Sequence, residues 1–411
     1  MKKYVSFILL GLALPPLSTA GDWLQFRGPD ASSVAVGDAT GLPTTLSIQD
    51  NVAWEMMLPG KGLSSPVVVG DKVFITCSSG PDQKRLHVIC FHSADGKKVW
   101  ERTFLASGRT MCHDKTAVAA PSPASDGKNI YALFSSNDLF CLDLDGNLQW
   151  LRGLTQDYPN ASNSLGLASS PVLVDNVFIA QIENDSESFV AGIDTATGEN
   201  LWKISRPKAA NWTSPVIFED GGKRLVGLQS SKGLLAVDPA TGAEVWNFDG
   251  GASTIPSSGV GGGLVVVPSD GLTALKLNGG KPEQIWQEAQ LRPGTASPII
   301  VGDRVFVVNN AGVLNCADLA TGERLWRLRL KGPYGSSPVA AGNYLYFFDE
   351  KGGAQVVDIS EPGEVEGKIV GEMDLGEMIQ CTPAIGDGAL FVRSNERLWK
   401  LTGTSAELPK P

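Results

Sequence analysis

The side chains best suited to chemistry are concentrated in one short segment, residues 105–120. Arg109, His113, Asp114 and Lys115 all lie in this segment, and His113 is one of only three histidines in the chain. A cation, an imidazole and a carboxylate in one loop could bind an anionic or polar ligand, since they offer both charge and hydrogen bonds. A solvated loop without a ligand is the alternative. Zinc requires clustered His, Cys or carboxylate ligands at recognisable spacing, and the sequence contains none, so we assign no metal ligand and no catalytic residue.

A repeat of roughly 40–45 residues runs along nearly the whole chain and must position this segment. Its clearest marker is Asp-x-x-Thr-Gly-x-x-x-Trp, found at residues 194–202, 238–246 and 318–326, with weaker copies that end at Trp100, Trp150 and Trp286. A second marker is a hydroxyl residue and a proline before an apolar strand. It occurs in phase with the first at Ser65-Pro66, Ser122-Pro123, Ser170-Pro171, Ser214-Pro215, Ser297-Pro298, Ser337-Pro338 and Thr382-Pro383. Ser258-Gly259 takes the fifth position, so the chain contains eight units.

Each unit is predicted to form four strands. The Asp and Thr of the first marker can bond nearby backbone amides and its Gly accepts a positive φ, so this marker forms the tight turn before the outer strand. One such sheet cannot bury its own faces, whereas a ring of sheets can. We therefore predict an all-β fold, an eight-bladed β-propeller of four-stranded antiparallel blades. The last unit lacks an outer strand, and residues 51–58 near the start of the chain are predicted to supply it.

The first twenty residues are typical of a secretion signal, with Lys2 and Lys3 before an apolar stretch and a cleavage position near Ala20. The predicted organisation is a signal peptide over residues 1–20, an N-terminal extension over 21–45, the propeller over 46–403 and a C-terminal tail over 404–411. The mature protein is then periplasmic or secreted, and we expect it to be a monomer.

Charge and hydropathy exclude several classes of partner. The chain has 34 Lys and Arg against 44 Asp and Glu, which gives a formal charge of −10. This balance argues against nucleic acid and against an anionic membrane surface, because both recruit basic patches. After the signal, no apolar run approaches the roughly 20 residues that a spanning helix needs, so no membrane span is predicted.

The six cysteines suggest disulfides in an oxidising compartment, yet their repeat positions favour another interpretation for three of them. Cys90, Cys141 and Cys316 occupy equivalent places in three units, where a small buried residue is needed and a free thiol can serve as one. Cys77 and Cys90 flank one predicted hairpin and could form a disulfide. Both alternatives stay open at the level of sequence.

The unit at residues 236–246 has the form Ala-x-Asp-x-x-Thr-Gly-x-x-x-Trp, and it resembles the tryptophan-docking repeat of propellers of the pyrroloquinoline quinone (PQQ) type. The resemblance extends from about Asn51 to Gly403. Such repeats occur in quinoprotein dehydrogenases and in non-enzymatic relatives, including the propeller subunit of the bacterial outer-membrane β-barrel assembly machinery. Residues 22–29 and 112–115 also look like a secreted bacterial subgroup of PQQ-like propellers. The resemblance implies the fold and a packing role for the repeated tryptophans.

The resemblance also raises the question of a cofactor. Quinoprotein dehydrogenases combine a quinone over the channel, a calcium ion held by carboxylate and amide oxygens, and a nearby Asp base, and many add a disulfide between adjacent cysteines. This chain has no Cys-Cys pair, and its predicted loops are short. We therefore predict no cofactor, with PQQ and calcium as the alternative.

In a propeller, the connections from each outer strand to the next inner strand emerge on one face, here called the loop face. The connections at residues 105–120 and 153–168 are long and most others are short, and long irregular connections are usually retained for a function. The candidate binding residues on this face are Arg109, His113, Asp114, Lys115, Tyr158, Asn163, Arg206, Trp212, Arg292 and Tyr334. We expect the opposite face to be passive.

These residues would form a mixed cationic and aromatic rim on an acidic protein. The rim favours a secreted or periplasmic, non-catalytic binding or assembly propeller that engages an envelope or extracellular protein, or a polar or anionic ligand, through the loop face. The alternative is an enzyme that uses an axial pocket, either a PQQ-dependent dehydrogenase or a glycan-acting enzyme. We favour the non-catalytic role.

Overall fold

The computed structural model describes residues 21–37, 39–161, 165–361, 363 and 365–403. The strands in this part of the chain form eight four-stranded antiparallel sheets, which confirms the predicted all-β, eight-bladed propeller. Two one-turn α-helices, Ile48–Asn51 and Leu154–Asp157, and two short 3-10 helices, Pro29–Ala31 and Pro81–Gln83, lie outside the sheets. Within the described residues, no helix is long and apolar enough to cross a membrane.

The strands are numbered in chain order, and β1 is Val52–Met57. Blade 1 contains β2 (Val67–Val69), β3 (Lys72–Ser79), β4 (Arg85–His92) and β5 (Lys98–Leu105). Blade 2 contains β6 (Ala124–Ser125), β7 (Asn129–Leu133), β8 (Asp138–Asp143) and β9 (Leu148–Gly153). Blade 3 contains β10 (Val172–Val174), β11 (Val177–Ile182), β12 (Phe189–Asp194) and β13 (Asn200–Ser205). Blade 4 contains β14 (Val216–Asp220), β15 (Lys223–Ser230), β16 (Gly233–Val237) and β17 (Glu244–Phe248).

The second half of the ring repeats this order. Blade 5 contains β18 (Gly259–Gly261), β19 (Leu264–Ser269), β20 (Gly271–Lys276) and β21 (Glu283–Glu288). Blade 6 contains β22 (Ile299–Val301), β23 (Arg304–Val308), β24 (Val313–Asp318) and β25 (Arg324–Arg329). Blade 7 contains β26 (Val339–Ala341), β27 (Tyr344–Phe348), β28 (Gly353–Asp358) and β29 (Lys368–Asp374). Blade 8 contains β30 (Ala384–Gly386), β31 (Ala389–Arg393) and β32 (Arg397–Leu401), with β1 as its outer strand.

The two ends of the propeller meet in blade 8. The N-terminal strand β1 pairs antiparallel with β32, with Trp54 opposite Lys400 and Met57 opposite Arg397. The amide of Thr402 donates to the carbonyl of Asn51 at 2.9 Å. Main-chain hydrogen bonds between the first and last strands therefore close the ring, as the sequence predicts.

The apolar core lies between the blades. The inner strands are mostly buried, whereas the outer strand of a blade buries mainly its tryptophan. All six residues of the second strand of blade 3, β11, are buried. In its outer strand, β13, only Trp202 is buried. Outer strands are thus amphipathic, and each repeated tryptophan is the residue that connects its blade to the next.

Most docking contacts join the tryptophan of one blade to the turn before the outer strand of the next blade, and this turn is Asp-x-x-Thr-Gly where the repeat is clearest. The indole nitrogen of Trp202 donates to the carbonyl of Pro239 at 2.8 Å. Gly242 in the same turn has φ +70°, and a Cβ there would lie 2.6 Å from the Trp202 ring. Only glycine satisfies both the backbone and the contact. Equivalent indole bonds join Trp54 to Ser93, Trp100 to Leu144, Trp150 to Thr195 and Trp286 to Leu319.

Blade 4 departs from this pattern. The indole nitrogen of Trp246 donates to a carboxylate oxygen of Asp220 in its own blade at 2.9 Å. The corresponding turn of blade 5 is Asn278-Gly279-Gly280, without the Asp-x-x-Thr-Gly marker. The amide of Gly279, in the turn that replaces it, donates to the other oxygen of Asp220 at 2.5 Å, so Asp220 bridges the two blades.

Blade 7 has no tryptophan, and Gly371 stands at its position. A Cβ on Gly371 would lie 3.0 Å from the carbonyl of Thr44 and 3.0 Å from the amide of Leu46. The missing side chain therefore makes room for the N-terminal extension, whose backbone packs directly on this outer strand.

The described part of residues 21–45, hereafter the plug, crosses the propeller axis and contacts all eight blades. From blade 1 to blade 8 the contacts are Trp23 with Val68, Leu24 with Ser125, Gln25 with Leu173, Asp30 with Arg224, Arg27 with Ser258 and with Pro298, Ala35 with Ala340, and Gly41 with Gly403. Val68 and Ser125 each lie three residues beyond the hydroxyl residue of the second marker. Since inner strands run away from the loop face, the plug closes the channel at the opposite end.

Arg27 anchors the plug although it is buried to 1% exposure. Its guanidinium donates to the Ser33 hydroxyl at 2.7 Å, to the Ser258 carbonyl at 2.7 Å and to the Pro298 carbonyl at 3.0 Å. Burial lowers the pKa of Arg27 to about 10. Neutral oxygens hold the guanidinium here, so the plug is fixed to blades 5 and 6 by hydrogen bonds and not by an ion pair.

The possible disulfide between Cys77 and Cys90 is not formed. All six cysteines are free, and all lie in the described part of the chain. Cys77 is opposite His87 and Cys90 is opposite Phe74, so the two cysteines are out of register. They also belong to different apolar clusters on the two sides of blade 1. Cys90 fills the small buried position that its repeat place predicts.

Candidate functional site

The hydroxyl residues of the second marker form a ring around the propeller axis. The backbone amide of Ser65 donates to the Ser122 hydroxyl at 2.8 Å, and the amide of Ser122 donates to the Ser170 hydroxyl at 3.0 Å. The same bond continues from blade to blade through Ser214, Ser257, Ser297, Ser337 and Thr382. These eight residues, hereafter the hydroxyl ring, link the inner strands of blades 1 to 8 in order by seven hydrogen bonds.

The predicted fifth position of this ring needs a correction. Ser257, and not Ser258, accepts from Ser214 and donates its amide to Ser297. Ser258 occupies the place of the marker proline, and its hydroxyl donates to Gln229 at 2.7 Å. The sequence pattern was ambiguous because two serines are adjacent where other blades have one serine and one proline.

Above the plug, the channel is a blind cavity of about 400 Å³ that opens on the loop face. Seven members of the hydroxyl ring line its wall, all except Ser65, and Phe26 of the plug forms its floor. The mouth is lined by Leu63, His113, Lys115, Leu165, Trp212 and Ile255. This axial cavity is within the range of volumes that hold small ligands or an inserted side chain.

The hydroxyl ring makes the wall of the cavity a set of donors. Each of the seven lining hydroxyls accepts one amide hydrogen, and none donates to another protein group in the described residues. A serine hydroxyl has one donor hydrogen in addition to its acceptor lone pairs. The wall can therefore donate to carbonyl, carboxylate or hydroxyl oxygens that enter from the loop face. Lys115 and His113 at the mouth favour a negative or polar group.

Five of the predicted binding residues belong to the two connections that supply His113, Lys115 and Trp212 to this opening. His113, Lys115 and Trp212 line the axial cavity. Arg109 and Asp114 belong to the same connection and are exposed. The Arg109 guanidinium contacts the Met111 sulfur at 3.2 Å, and the Asp114 carbonyl accepts from Lys61 at 3.0 Å. The connection at residues 105–120 therefore supplies His113 and Lys115 to the lining of the cavity.

The side chains of two predicted rim residues are buried. The prediction that they lie on an accessible rim is therefore wrong. Tyr334 is only 3% exposed, and its hydroxyl donates to Gln355 at 2.9 Å. The Arg206 guanidinium donates to Glu183 at 2.5 Å, with the two side chains 5% and 1% exposed. Burial raises the pKa of Glu183, and the neighbouring Arg206 opposes this shift. Both residues stabilise the blades beneath the loops.

The remaining predicted residues lie away from the cavity. The Tyr158 ring packs 3.8 Å from the Lys203 ammonium, and its hydroxyl accepts from Asn200 at 2.8 Å. Arg292 is exposed and forms an ion pair with Asp270. Asn163 lies outside the described residues. Sequence reasoning missed the apolar part of the mouth and the floor, since Ile255 and Leu63 lie in short connections and Phe26 lies in the extension.

The residues of the axial cavity do not fit a quinone with its calcium ion. The carboxylate that lines the cavity is that of Glu350, and the ammonium is that of Lys115. Calcium prefers six to eight oxygen ligands with several carboxylates. Across the described ranges, no group of three or more His, Cys, Asp or Glu residues is placed to hold a metal ion.

Comparison with known proteins relates the chain to two kinds of propeller. The model of a family described as outer membrane protein assembly factor BamB matches residues 26–216, 186–312 and 282–408. BamB of Burkholderia pseudomallei (strain K96243) is 25% identical over 411 residues, which cover 93% of this chain and 95% of that protein. The quinohemoprotein alcohol dehydrogenase of Comamonas testosteroni is 27% identical over 186 residues, which cover 43% of this chain but only 21% of that enzyme.

Solved structures show the same division. BamB from Moraxella catarrhalis has a TM-score of 0.59 and 14% identity, and the match covers 87% of this chain and 99% of that one. A europium-containing methanol dehydrogenase has a TM-score of 0.69 and 13% identity, with 94% and 98% covered. At these identities the structural likeness shows the propeller fold alone.

Proposed function

The chain belongs to the BamB family of PQQ-type propellers, and from this premise we propose that it is an envelope binding or assembly propeller that acts by engaging a partner protein. The partner binds on the loop face and inserts a side chain or a short segment into the axial cavity. In this proposal the protein acts in the periplasm or outside the cell, after removal of residues 1–20, which lie outside the described residues.

The observation that carries the proposal is the one-sided opening of the channel. The plug closes the axis from below with Phe26, while the loop face leaves a cavity of about 400 Å³ accessible. The mouth combines Lys115 and His113 with the apolar side chains of Trp212 and Ile255. Interface centres are commonly aromatic or apolar pockets with a polar rim. The mouth therefore fits a partner segment with an apolar side chain and a carboxylate or carbonyl beside it.

A redox enzyme is the second candidate, favoured by the similarity of part of the chain to the quinohemoprotein alcohol dehydrogenase. The residues that line the axial cavity do not support this candidate, because they include the single carboxylate of Glu350, too few for a calcium ion. The absorbance spectrum and calcium content of the purified protein after reconstitution with PQQ separate the candidates, since a bound quinone would contribute an absorption band.

The test of the proposed function is a variant with Arg109, His113, Lys115 and Trp212 all replaced by alanine. We expect this variant to fold and to bind the envelope partner at least about tenfold more weakly than the wild type, because it removes the charge and the aromatic anchor of the mouth. Affinity is measured with the partner that the wild-type mature protein captures from envelope extracts.

The matched control replaces Lys97, Lys128 and Lys223, three exposed cations in or next to turns on the opposite face. It also lowers the positive charge of the protein but leaves the loop face intact. Unchanged affinity of the mouth variant, or equal weakening in the control, would show that the partner does not bind at the axial cavity.

A further inference from the structure

Three polar residues in blade 1 form a hydrogen-bonded chain outside the axial cavity. The Ser79 hydroxyl lies 2.7 Å from Nε2 of His87, and Nδ1 of the same ring lies 2.8 Å from Oε1 of Glu101. Ser79 ends β3, His87 is in β4 and Glu101 is in β5. Three adjacent strands thus hold a hydroxyl, an imidazole and a carboxylate in line, in the order that activates a serine nucleophile.

The charge state of Glu101 fixes the direction of both hydrogen bonds. Partial burial acts to raise the pKa of Glu101, but hydrogen bonds from Lys98 and His87 prevail and lower it. The Lys98 ammonium lies 2.6 Å from the second carboxylate oxygen. An ionised carboxylate only accepts, so Nδ1 carries the ring proton. In the neutral imidazole Nε2 is then the acceptor for the Ser79 hydroxyl, which is the arrangement of a general base.

These three residues are not part of the repeat. By strand register, the places of Ser79, His87 and Glu101 in blade 1 correspond in blade 6 to Ala311, Val313 and Arg327. The difference follows from the longer hairpin of blade 1, whose strands β3 and β4 each have eight residues. Residues that pack blades recur around the ring, so the packing of the propeller does not account for this cluster.

The cluster shields the base, while the residue that carries the hydroxyl is partly exposed. The His87 and Glu101 side chains are 8% and 21% exposed, whereas Ser79 is half-buried at the rim of the loop face. Gly80 follows Ser79 with φ +73°. The backbone amide after a serine nucleophile is a common donor to the oxyanion that forms during acyl transfer, and Gly80 has no side chain to cover that amide.

We propose that Ser79, His87 and Glu101 form a second site that hydrolyses short acyl esters. This activity is independent of the partner binding proposed for the axial cavity. Since Ser79 is half-buried at the rim of the loop face, the substrates are small esters with a good leaving group. Ser79 and His87 are the catalytic residues, and Glu101 is a positioning residue that holds the His87 ring.

The reaction needs only water as a second reactant. The Ser79 oxygen attacks the ester carbonyl carbon while its proton moves to Nε2 of His87, and that proton passes to the departing alkoxide as the carbon–oxygen bond breaks. The products of this step are an alcohol and an acyl-serine. Water then attacks the acyl-serine with His87 as base, which releases the carboxylic acid and restores the Ser79 hydroxyl.

The test uses the mature protein with a fluorophosphonate probe, which phosphonylates base-activated serines, and with p-nitrophenyl acetate as substrate. We expect peptide mapping to locate the probe on Ser79. Ser79→Ala should abolish labelling, and His87→Gln should slow labelling and ester hydrolysis by about a hundredfold, the usual contribution of a general base. Ser269→Ala is the matched control, since Ser269 ends the second strand of blade 5 in the same half-buried setting.

Glu101→Gln separates positioning from simple stabilisation. The amide can donate to Nδ1, which moves the ring proton to Nε2 and removes the acceptor for Ser79. We expect this variant to keep the thermal transition of the wild type but to lose labelling.

If the wild type is not labelled at Ser79, or if Ser79→Ala hydrolyses the ester as fast as the wild type, the three residues are a structural cross-link only. Ser79→Ala should capture the envelope partner normally, which keeps this test separate from that of the axial cavity.

Discussion

Replacing Trp202 by alanine is expected to lower the free energy of unfolding by about 3–5 kcal/mol, the usual cost of deleting a large buried aromatic side chain. Trp202 is 8% exposed and lies between blades 3 and 4. The substitution removes the contact with Gly242 and leaves the Pro239 carbonyl without its indole donor. It therefore weakens the interface between two blades as well as the core of one.

The neighbouring residue provides the control. Leu201 lies in the same strand but is 48% exposed, so Leu201→Ala should change the free energy of unfolding by no more than about 0.5 kcal/mol. Both values come from urea or guanidinium unfolding followed by fluorescence or circular dichroism. Equal effects of the two substitutions would contradict the docking role of the repeated tryptophans.

A chain that begins at Pro59 is expected to lose cooperative folding, because it lacks the outer strand of blade 8. Without β1, the edge of β32 is unpaired, and exposed strand edges favour aggregation. Trp54, which joins blade 8 to blade 1 through the Ser93 carbonyl, is also lost. The expected result is aggregated protein, or protein without a sharp thermal transition.

A permuted chain isolates the contribution of this strand. Residues 46–58 are moved behind Gly403 through a short turn, which the contact between Thr402 and Asn51 permits. Since both chains lack the plug, they differ in residues 46–58, which contain β1 and the one-turn helix before it. We expect the permuted chain to recover a cooperative transition. Identical thermal transitions of the two chains would mean that β1 does not close the ring. The difference in transition temperature between the permuted chain and the wild type measures the contribution of the plug.

The sequence predicted the fold well because the residues that pack blades recur at a fixed spacing. Trp202, its turn glycine Gly242 and the missing outer strand of the last unit are all visible in the linear pattern. The tandem serines 257 and 258 could not be resolved, because the pattern does not say which of two hydroxyls faces the axis. Hydrogen bonds to blades 4 and 6 decide that point.

The candidate site was predicted only in part, since loop length indicates where a connection lies but not where its side chains point. His113 and Lys115 do line the axial cavity. Tyr334 and Arg206 turn inward because Gln355 and Glu183 offer buried partners, and those pairings depend on tertiary structure. The floor residue Phe26 was missed for the same reason, as the path of the plug across the axis has no signature in a single sequence.

The fold alone does not choose between binding and redox chemistry. BamB and a methanol dehydrogenase both match this chain at 13–14% identity over most of its length, and one propeller fold hosts many functions. The choice depends on the residues of the axial cavity, where hydroxyl donors and one lysine replace the carboxylate-rich surroundings that a calcium ion requires.

Site-specific photo-crosslinking tests the central claim most directly. A photoreactive residue is placed at Lys115 or Ile255 at the mouth of the axial cavity, or at Ala240 or Ala320, which are exposed in turns of the opposite face. Binding at the axial cavity predicts that both mouth positions crosslink to the same envelope protein in intact cells and that the turn positions do not. Crosslinks to that protein from Ala240 and Ala320, with none from Lys115 and Ile255, would contradict it.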